Sequence, residues 1–267
     1  MRLNDHKPRK RFGQNFLKDQ HVIQRIVTAI HPKPHERFLE IGPGKGALTN
    51  ILLQEVPFLE AIEIDRNLAQ GLIHQYLPNQ LKVYEEDALN FDFNRLYQNK
   101  EINKKYRVIG NLPYNISTPL MFHLFQFSHL IEDMHFMLQK EVVDRLSASS
   151  NQKDYGRLSI MAQYFCKIEE LFTVSPNAFY PKPKVYSAIV RLIPQKPITP
   201  TKDIVLLENV VRTAFSQRRK TLTNALRPYL TPSDFKALNI DPILRPEVLA
   251  VEDYVRISNY IFENKDL

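Results

Sequence analysis

From about residue 37 to residue 193 the chain alternates short apolar runs with stretches of helical period, and that alternation leaves few folds open. Strand-like runs stand at 37–41, 58–64, 82–84, 106–109, 134–138, 166–174 and 186–193. Helical spacing follows most of them: from Ala47, at 67–76, through Leu120, Met121, Leu124 and Phe125, at 141–148 and at 157–165. Seven strands interleaved with helices imply a doubly wound, Rossmann-like α/β sheet that is mostly parallel. The last two strands are joined by the Pro-rich stretch 175–185 without a helix, which predicts an antiparallel pair. In open sheets of this kind ligands bind beyond the carboxyl ends of the strands, so the residues that close each strand carry the functional reading.

Four strand ends hold polar or glycine-rich residues. The first runs into Glu40-x-Gly42-x-Gly44-x-Gly46. This does not fit the dinucleotide pattern G-x-G-x-x-G, and Lys45 is followed by Gly rather than the Ser or Thr of a P-loop. The spacing suits a nucleoside cofactor lying against the backbone without a pyrophosphate. Glu63 closes the second strand and is placed to accept from both ribose hydroxyls. Asp87 closes the third and can accept from an adenine amino group. The fourth enters Gly110-Asn111-Leu112-Pro113-Tyr114-Asn115, with Ser117 as the expected N-cap of the next helix. Asn111 and the Leu112 carbonyl can accept both hydrogens of an amino group, Pro113 stiffens the loop, and the Tyr114 ring can stack on the base carrying that amine. Together these strand ends point to S-adenosylmethionine as cofactor and a nucleobase amine as acceptor.

Two basic clusters add a polyanion partner. Residues 1–18 hold Arg2, Lys7, Arg9, Lys10, Arg11 and Lys18 against Asp5, and Arg218-Arg219-Lys220 forms the second, within a net charge of +7. The segment 6–19 also carries Phe12 and Phe16, which a merely solvated tail would not need, so it is expected to dock on the fold. Beyond the Pro-rich linker at 194–200, helix signals alone remain, at 204–215, 220–226, 232–238 and 246–262. The expected division is therefore a cofactor-binding domain over 1–194 with its basic N-terminal segment, and a small all-α, RNA-recognition domain over 201–267.

In these residues the chain resembles the ribosomal RNA adenine dimethyltransferases. The likeness runs nearly end to end: 11–17, 39–49, Glu63-Ile64-Asp65, Asp87-Ala88-Leu89, 110–117, 139–142, 155–159, Phe179-x-Pro181-x-Pro183-Lys184-Val185 and 215–222. The last motif favours the small-subunit members linked to kasugamycin sensitivity over those that methylate large-subunit RNA and confer macrolide resistance. The resemblance implies a Rossmann-like methyltransferase that dimethylates two adjacent adenines in a hairpin loop near the 3′ end of 16S RNA. It implies that Asn15, Leu17, Gly42, Glu63, Asp87 and Asn111 line the cofactor site, and that Phe179 joins Tyr114 in stacking on the target base. Lys184, with Arg9, Lys10, Arg11, Arg218, Arg219 and Lys220, is expected on the RNA. Lys182 stands where the family often has Pro, and Tyr186 where it often has Asp; both flank Phe179.

Other classes fit less well. A non-catalytic ribosome-assembly factor would not need Asn111, Tyr114 and Glu63 intact, and a protein or small-molecule methyltransferase explains neither basic cluster. The single Cys166 forms no internal disulfide, which fits a reducing cytoplasm. His31 and His35 are separated by two prolines, and no metal pattern is expected. No run of 18 apolar residues predicts a membrane span. The expected partner is an immature 30S particle, engaged by a monomer.

Overall fold

The computed structural model describes residues 6–97 and 104–264. Arg2 of the N-terminal basic cluster lies outside them, as does the side chain of Lys10. The chain divides into two compact units, one of residues 1–143 with 168–194 and one of 144–167 with 195–267. The second thus includes residues 144–167 as well as the chain beyond the linker.

The first unit opens with the short strand β1 (Phe16–Leu17) and helix α1 (Gln20–Ile30). Asp19 caps α1, accepting from the amides of His21 and Val22 at 3.0 and 3.2 Å. Ile23, Ile26, Val27 and Ile30 recur at helical spacing and are all buried. Then come β2 (Arg37–Ile41), α2 (Ala47–Glu55), β3 (Leu59–Ile62), α3 (Arg66–Gln75), β4 (Leu81–Tyr84), β5 (Tyr106–Asn111), α4 (Ser117–Phe125) and β6 (Ile131–Gln139). Helix α5 (Lys140–Ser147) and, in the second unit, α6 (Arg157–Phe165) precede β7 (Cys166–Val174), β8 (Phe179–Tyr180) and β9 (Ser187–Pro194) in the chain.

Seven strands form one sheet in the order β4-β3-β2-β5-β6-β9-β7. β2 pairs in parallel with both β3 and β5, and β6 pairs antiparallel with β9. The chain winds outward from β2 to β4, then returns to place β5 on the other side of β2. That reversal opens a crevice at the carboxyl ends of β2 and β5. Gly110 makes the approach possible there: a Cβ on it would stand 2.5 Å from the Ile41 carbonyl oxygen of β2.

Two local features depart from the sequence reading. β5 extends two residues beyond the expected apolar run, so Asn111 is the last strand residue and pairs with Met137 of β6. Ser117 does not cap α4. Residues 113–116 form a turn closed by the Ile116 amide on the Pro113 carbonyl at 3.1 Å. Ser117 is thereby drawn into the first helical turn, where its hydroxyl donates to the Tyr114 carbonyl at 3.2 Å.

In the second unit, α7 (Ile204–Ser216), α8 (Leu222–Ala225) and α9 (Pro232–Ala237) follow the expected order. The helix expected over 246–262 is broken. Pro246–Val248 is a single 3-10 turn, Leu249 is extended, and α10 (Val251–Asn264) starts afresh. Asp253 favours the restart by accepting from the Ala250 amide at 2.9 Å.

Candidate active site

A cavity of about 530 Å³ opens at the carboxyl ends of β2 to β5. The four strand-end motifs meet in it. Gly42, Glu63, Asp87 and Asn111 all line it, with Leu112, Pro113 and Tyr114 on one side and Asn15 and Leu17 on another. Residues from five separate stretches of sequence are thus brought to one wall system.

The glycine loop follows β2. Gly42 has φ +66°, and no atom lies within 4 Å of where a Cβ would sit. A side chain there would be strained and would project into open space beside the loop, so a flat ligand can approach the backbone. Glu63 is buried just after β3 and accepts from the Gly44 amide at 3.0 Å and the Asp65 amide at 2.8 Å. Burial is the largest influence on its acidity and raises its pKa to about 7. The Asp65, Gly44 and Ile64 amides favour the ionised form, while the Asp65 charge adds to the rise. Glu40, on β2, is also pushed up to about 7, chiefly by burial, and accepts from the Thr49 hydroxyl at 2.6 Å. Asp87 accepts from the Leu89 amide at 3.0 Å and remains partly exposed. An open glycine face, a buried carboxylate beside it and a part-exposed carboxylate in the loop after β4 fit the adenosine half of S-adenosylmethionine. The chain supplies oxygen acceptors of the kind that ribose hydroxyls and an amino group can donate to.

The Asn111 loop faces the same cavity. The Asn111 Nδ2 donates to the Asn15 carbonyl at 2.8 Å, which commits the donor end of the amide and leaves Oδ1 to accept. Tyr114 is half-buried, and its hydroxyl shares a 2.8 Å hydrogen bond with Ser187 Oγ; burial raises the pKa of the phenol.

The N-terminal segment forms part of the wall, as its two phenylalanines suggested. β1 pairs antiparallel with β8, Phe16 opposite Tyr180 and Leu17 opposite Phe179. Asp65, 0 % exposed in its side chain, anchors the segment. Arg9 donates to it at 3.1 Å, Gln14 at 3.2 Å, and buried His6 stands 3.5 Å away. Asp65 was legible only as a neighbour of Glu63, and nothing in its local sequence gives its partners 51 to 59 residues earlier.

One expectation is corrected, and two basic residues are found with partners inside the protein. Phe179 is 2 % exposed and belongs to the apolar core with Leu17, Ile109 and Ile189, so the ring does not line the cavity. Its neighbour Tyr180, on the opposite face of β8, is 61 % exposed and does. Arg9, expected on RNA, donates to the buried Asp65 carboxylate at 3.1 Å and stays partly exposed. Arg218 is partly engaged within its own unit, 3.9 Å from Glu247 and donating to the Gln152 carbonyl at 3.4 Å. Arg11, Lys184, Arg219 and Lys220 are exposed. Cys166 is buried and its thiol is pushed up to about 12 by burial, which makes it inert at neutral pH. Among the described residues no helix is long and apolar enough to cross a membrane.

This arrangement has close relatives. The chain is 56 % identical over 257 residues to the ribosomal RNA small subunit methyltransferase A of Coxiella burnetii, covering 95 % of this chain and 97 % of the relative. It is 53 % identical over 263 residues to the protein of that name from Actinobacillus pleuropneumoniae, covering 97 % and 91 %. A dimethyladenosine transferase from Plasmodium falciparum has a similar structure, with a TM-score of 0.75 at 27 % identity over 91 % of this chain and 95 % of that one. The profile of the ribosomal RNA adenine dimethylases matches residues 5–263, and the chain belongs to that family.

Proposed function

We propose that the protein is an S-adenosylmethionine-dependent enzyme that dimethylates the exocyclic amines of two adjacent adenosines in a hairpin loop near the 3′ end of small-subunit ribosomal RNA. It acts as a monomer on an immature 30S particle in the cytoplasm. The observation that carries the reading is the Asn111 amide, held by Asn15 with its acceptor end free, in the same cavity as Gly42, Glu63 and Asp87.

When bound, S-adenosylmethionine supplies an electrophilic methyl on a sulfonium. Asn15, Leu17, Gly42, Glu63 and Asp87 hold it, Glu63 taking the ribose hydroxyls. The adenine amine is a weak nucleophile because its lone pair is delocalised into the ring. Asn111 Oδ1 and the Leu112 carbonyl accept its two hydrogens and turn the lone pair out of the ring plane. Pro113 fixes the loop that presents that carbonyl. No strong base is required, since the amine proton becomes acidic as the new N–C bond forms. The target leaves its stack at a cost of a few kcal/mol in a duplex and less in a loop. Stacking on Tyr114 recovers part of that, at about 1–3 kcal/mol per base. Arg11 and Lys184 contact phosphates of the bound RNA, and Arg219 and Lys220, with a smaller share from Arg218, contact them from the helical unit.

A large-subunit target of the macrolide-resistance type is less well supported, because the relatives at 56 % and 53 % identity carry a small-subunit name. A non-catalytic assembly factor gives no reason for the Asn15–Asn111 bond. The test is nucleoside mass spectrometry of ribosomal RNA from unmethylated small subunits after incubation with protein and S-adenosylmethionine. Two dimethyladenosines per small subunit are expected; none, or methylation confined to large-subunit RNA, would overturn the reading.

A further inference from the structure

The loop between β8 and β9 is not explained by the cofactor cavity or by the Asn111 loop. Two exposed tyrosines flank two exposed lysines: Tyr180 at the end of β8, Lys182, Lys184 and Tyr186 face water, as do Pro181 and Val185, while Pro183 between the lysines is buried. Tyr180 and Tyr186 are 61 % and 57 % exposed. Two large rings left in water on one short loop forgo burial that the fold gives most of its other aromatics. Among the described residues neither lysine has an ion-pair partner.

Both ends of the loop are fixed to the site. Tyr180 lines the cavity, and its backbone pairs with Phe16. The Tyr186 carbonyl accepts from the Lys140 amide at 2.9 Å, and the next residue, Ser187, holds the Tyr114 hydroxyl at 2.8 Å. The loop therefore starts at the cavity rim and ends beside the tyrosine assigned to the target base. Exposed rings interleaved with unpaired cations are the surface that single-stranded nucleic acid selects, since the rings stack on bases and the cations track phosphates.

We propose that Tyr180 and Tyr186, interleaved with Lys182 and Lys184, form a stacking platform that holds the nucleotide next to the adenosine being methylated. This rests on the RNA-methylation reading above. Extruding one base leaves its neighbour without a stacking partner on that side, and a ring at the rim replaces it. For two adjacent acceptor adenosines, the platform holds one while the other occupies the cavity.

The test uses the full chain and a short single-stranded RNA with two adjacent adenosines, one replaced by fluorescent 2-aminopurine, whose emission is quenched on stacking. Wild type and the double variant Tyr180→Phe/Tyr186→Phe should quench the probe alike. Tyr180→Ala/Tyr186→Ala should lose the quench and bind about tenfold or more weakly, with an unchanged salt slope, and Tyr186→Ala alone, outside the cavity lining, should weaken RNA binding with unchanged affinity for S-adenosylmethionine by calorimetry. Lys182→Ala/Lys184→Ala should keep the quench and reduce the salt slope. The platform is overturned if the alanine pair quenches and binds as wild type does. It is equally overturned if wild type never quenches, which would leave the rings for a protein partner, or if Tyr186→Ala loses cofactor affinity in step with RNA, which would make the loss a general disturbance of the site. Wild-type methylation of small subunits, measured alongside, shows separately whether the underlying reading stands.

Discussion

Asn111, the last residue of β5, donates its side-chain amide to the backbone carbonyl of Asn15 at 2.8 Å across 96 positions of sequence. This bond joins the N-terminal segment to the strand end and sets which face of the amide is acceptor. Asn111→Asp keeps the shape and removes the donor, so a carboxylate would oppose the Asn15 carbonyl. The variant is expected to fold, with a melting temperature close to wild type. Its methyl transfer should fall by about a hundredfold or more, and single-turnover kinetics measure this directly.

Tyr114 separates ring from hydroxyl. Tyr114→Phe retains the stacking face and loses the bond to Ser187, which is buried and held at 2.8 Å. A stability loss of about 0.5–1.5 kcal/mol is expected in chemical denaturation, with much of the activity kept. Tyr114→Ala should lose most activity. If the phenylalanine variant is as inactive as the alanine variant, the hydroxyl has a role that stacking does not explain.

Glu40 and Glu63 make the fold sensitive to pH. Each has its folded pKa raised from 4.5 to about 7, mainly by burial. For an acid shifted upward, the folded state holds the proton more tightly than the unfolded state. The stabilisation is therefore complete below the unfolded value and is lost as pH rises through the folded one. Unfolding free energy of the ligand-free protein should fall between about pH 4.5 and 7, and Glu40→Gln should flatten that fall. Cofactor hydroxyls favour the ionised form of Glu63, so binding near pH 6.5 should release a proton. Calorimetry in buffers of different ionisation enthalpy detects it, and Glu63→Gln should abolish it.

Asp65 is expected to hold the cavity wall formed by the N-terminal segment. Asp65→Asn keeps an acceptor for the Asn67 amide that caps α3, now at 3.0 Å, but removes the charge that Arg9 and His6 face. Trypsin should cut faster after Arg9, Lys10 or Arg11, and cofactor affinity should fall, while thermal unfolding changes little. Unchanged cleavage would mean the segment is held by the β1–β8 pairing alone.

The strands and their polar ends were legible because β-strands buried on both faces read as apolar runs, and each run stops where its last residue meets the crevice. Gly42, Glu63, Asp87 and Asn111 could be named for the same reason: each is the break in its own run. What joins them was not legible. Asp65 with Arg9, Tyr114 with Ser187 and Asn111 with Asn15 are long-range hydrogen bonds between residues whose own neighbourhoods carry no mark of a partner. Phe179 shows the remaining difficulty. In a two-residue strand the side chains point to opposite faces, and composition does not say whether Phe179 or Tyr180 turns inward. Pairing with β1 decides it, placing Phe179 opposite buried Leu17.

The most direct test of the assignment is single-turnover methyl transfer from S-adenosylmethionine to unmethylated small subunits by wild type and Asn111→Ala, with RNA binding measured in parallel. Wild type should methylate adjacent adenosines. Asn111→Ala, folded and still binding RNA, should be slower by about a hundredfold or more, because a preorganised acceptor for the amine is gone. Near wild-type turnover by folded Asn111→Ala would contradict the mechanism assigned to this loop.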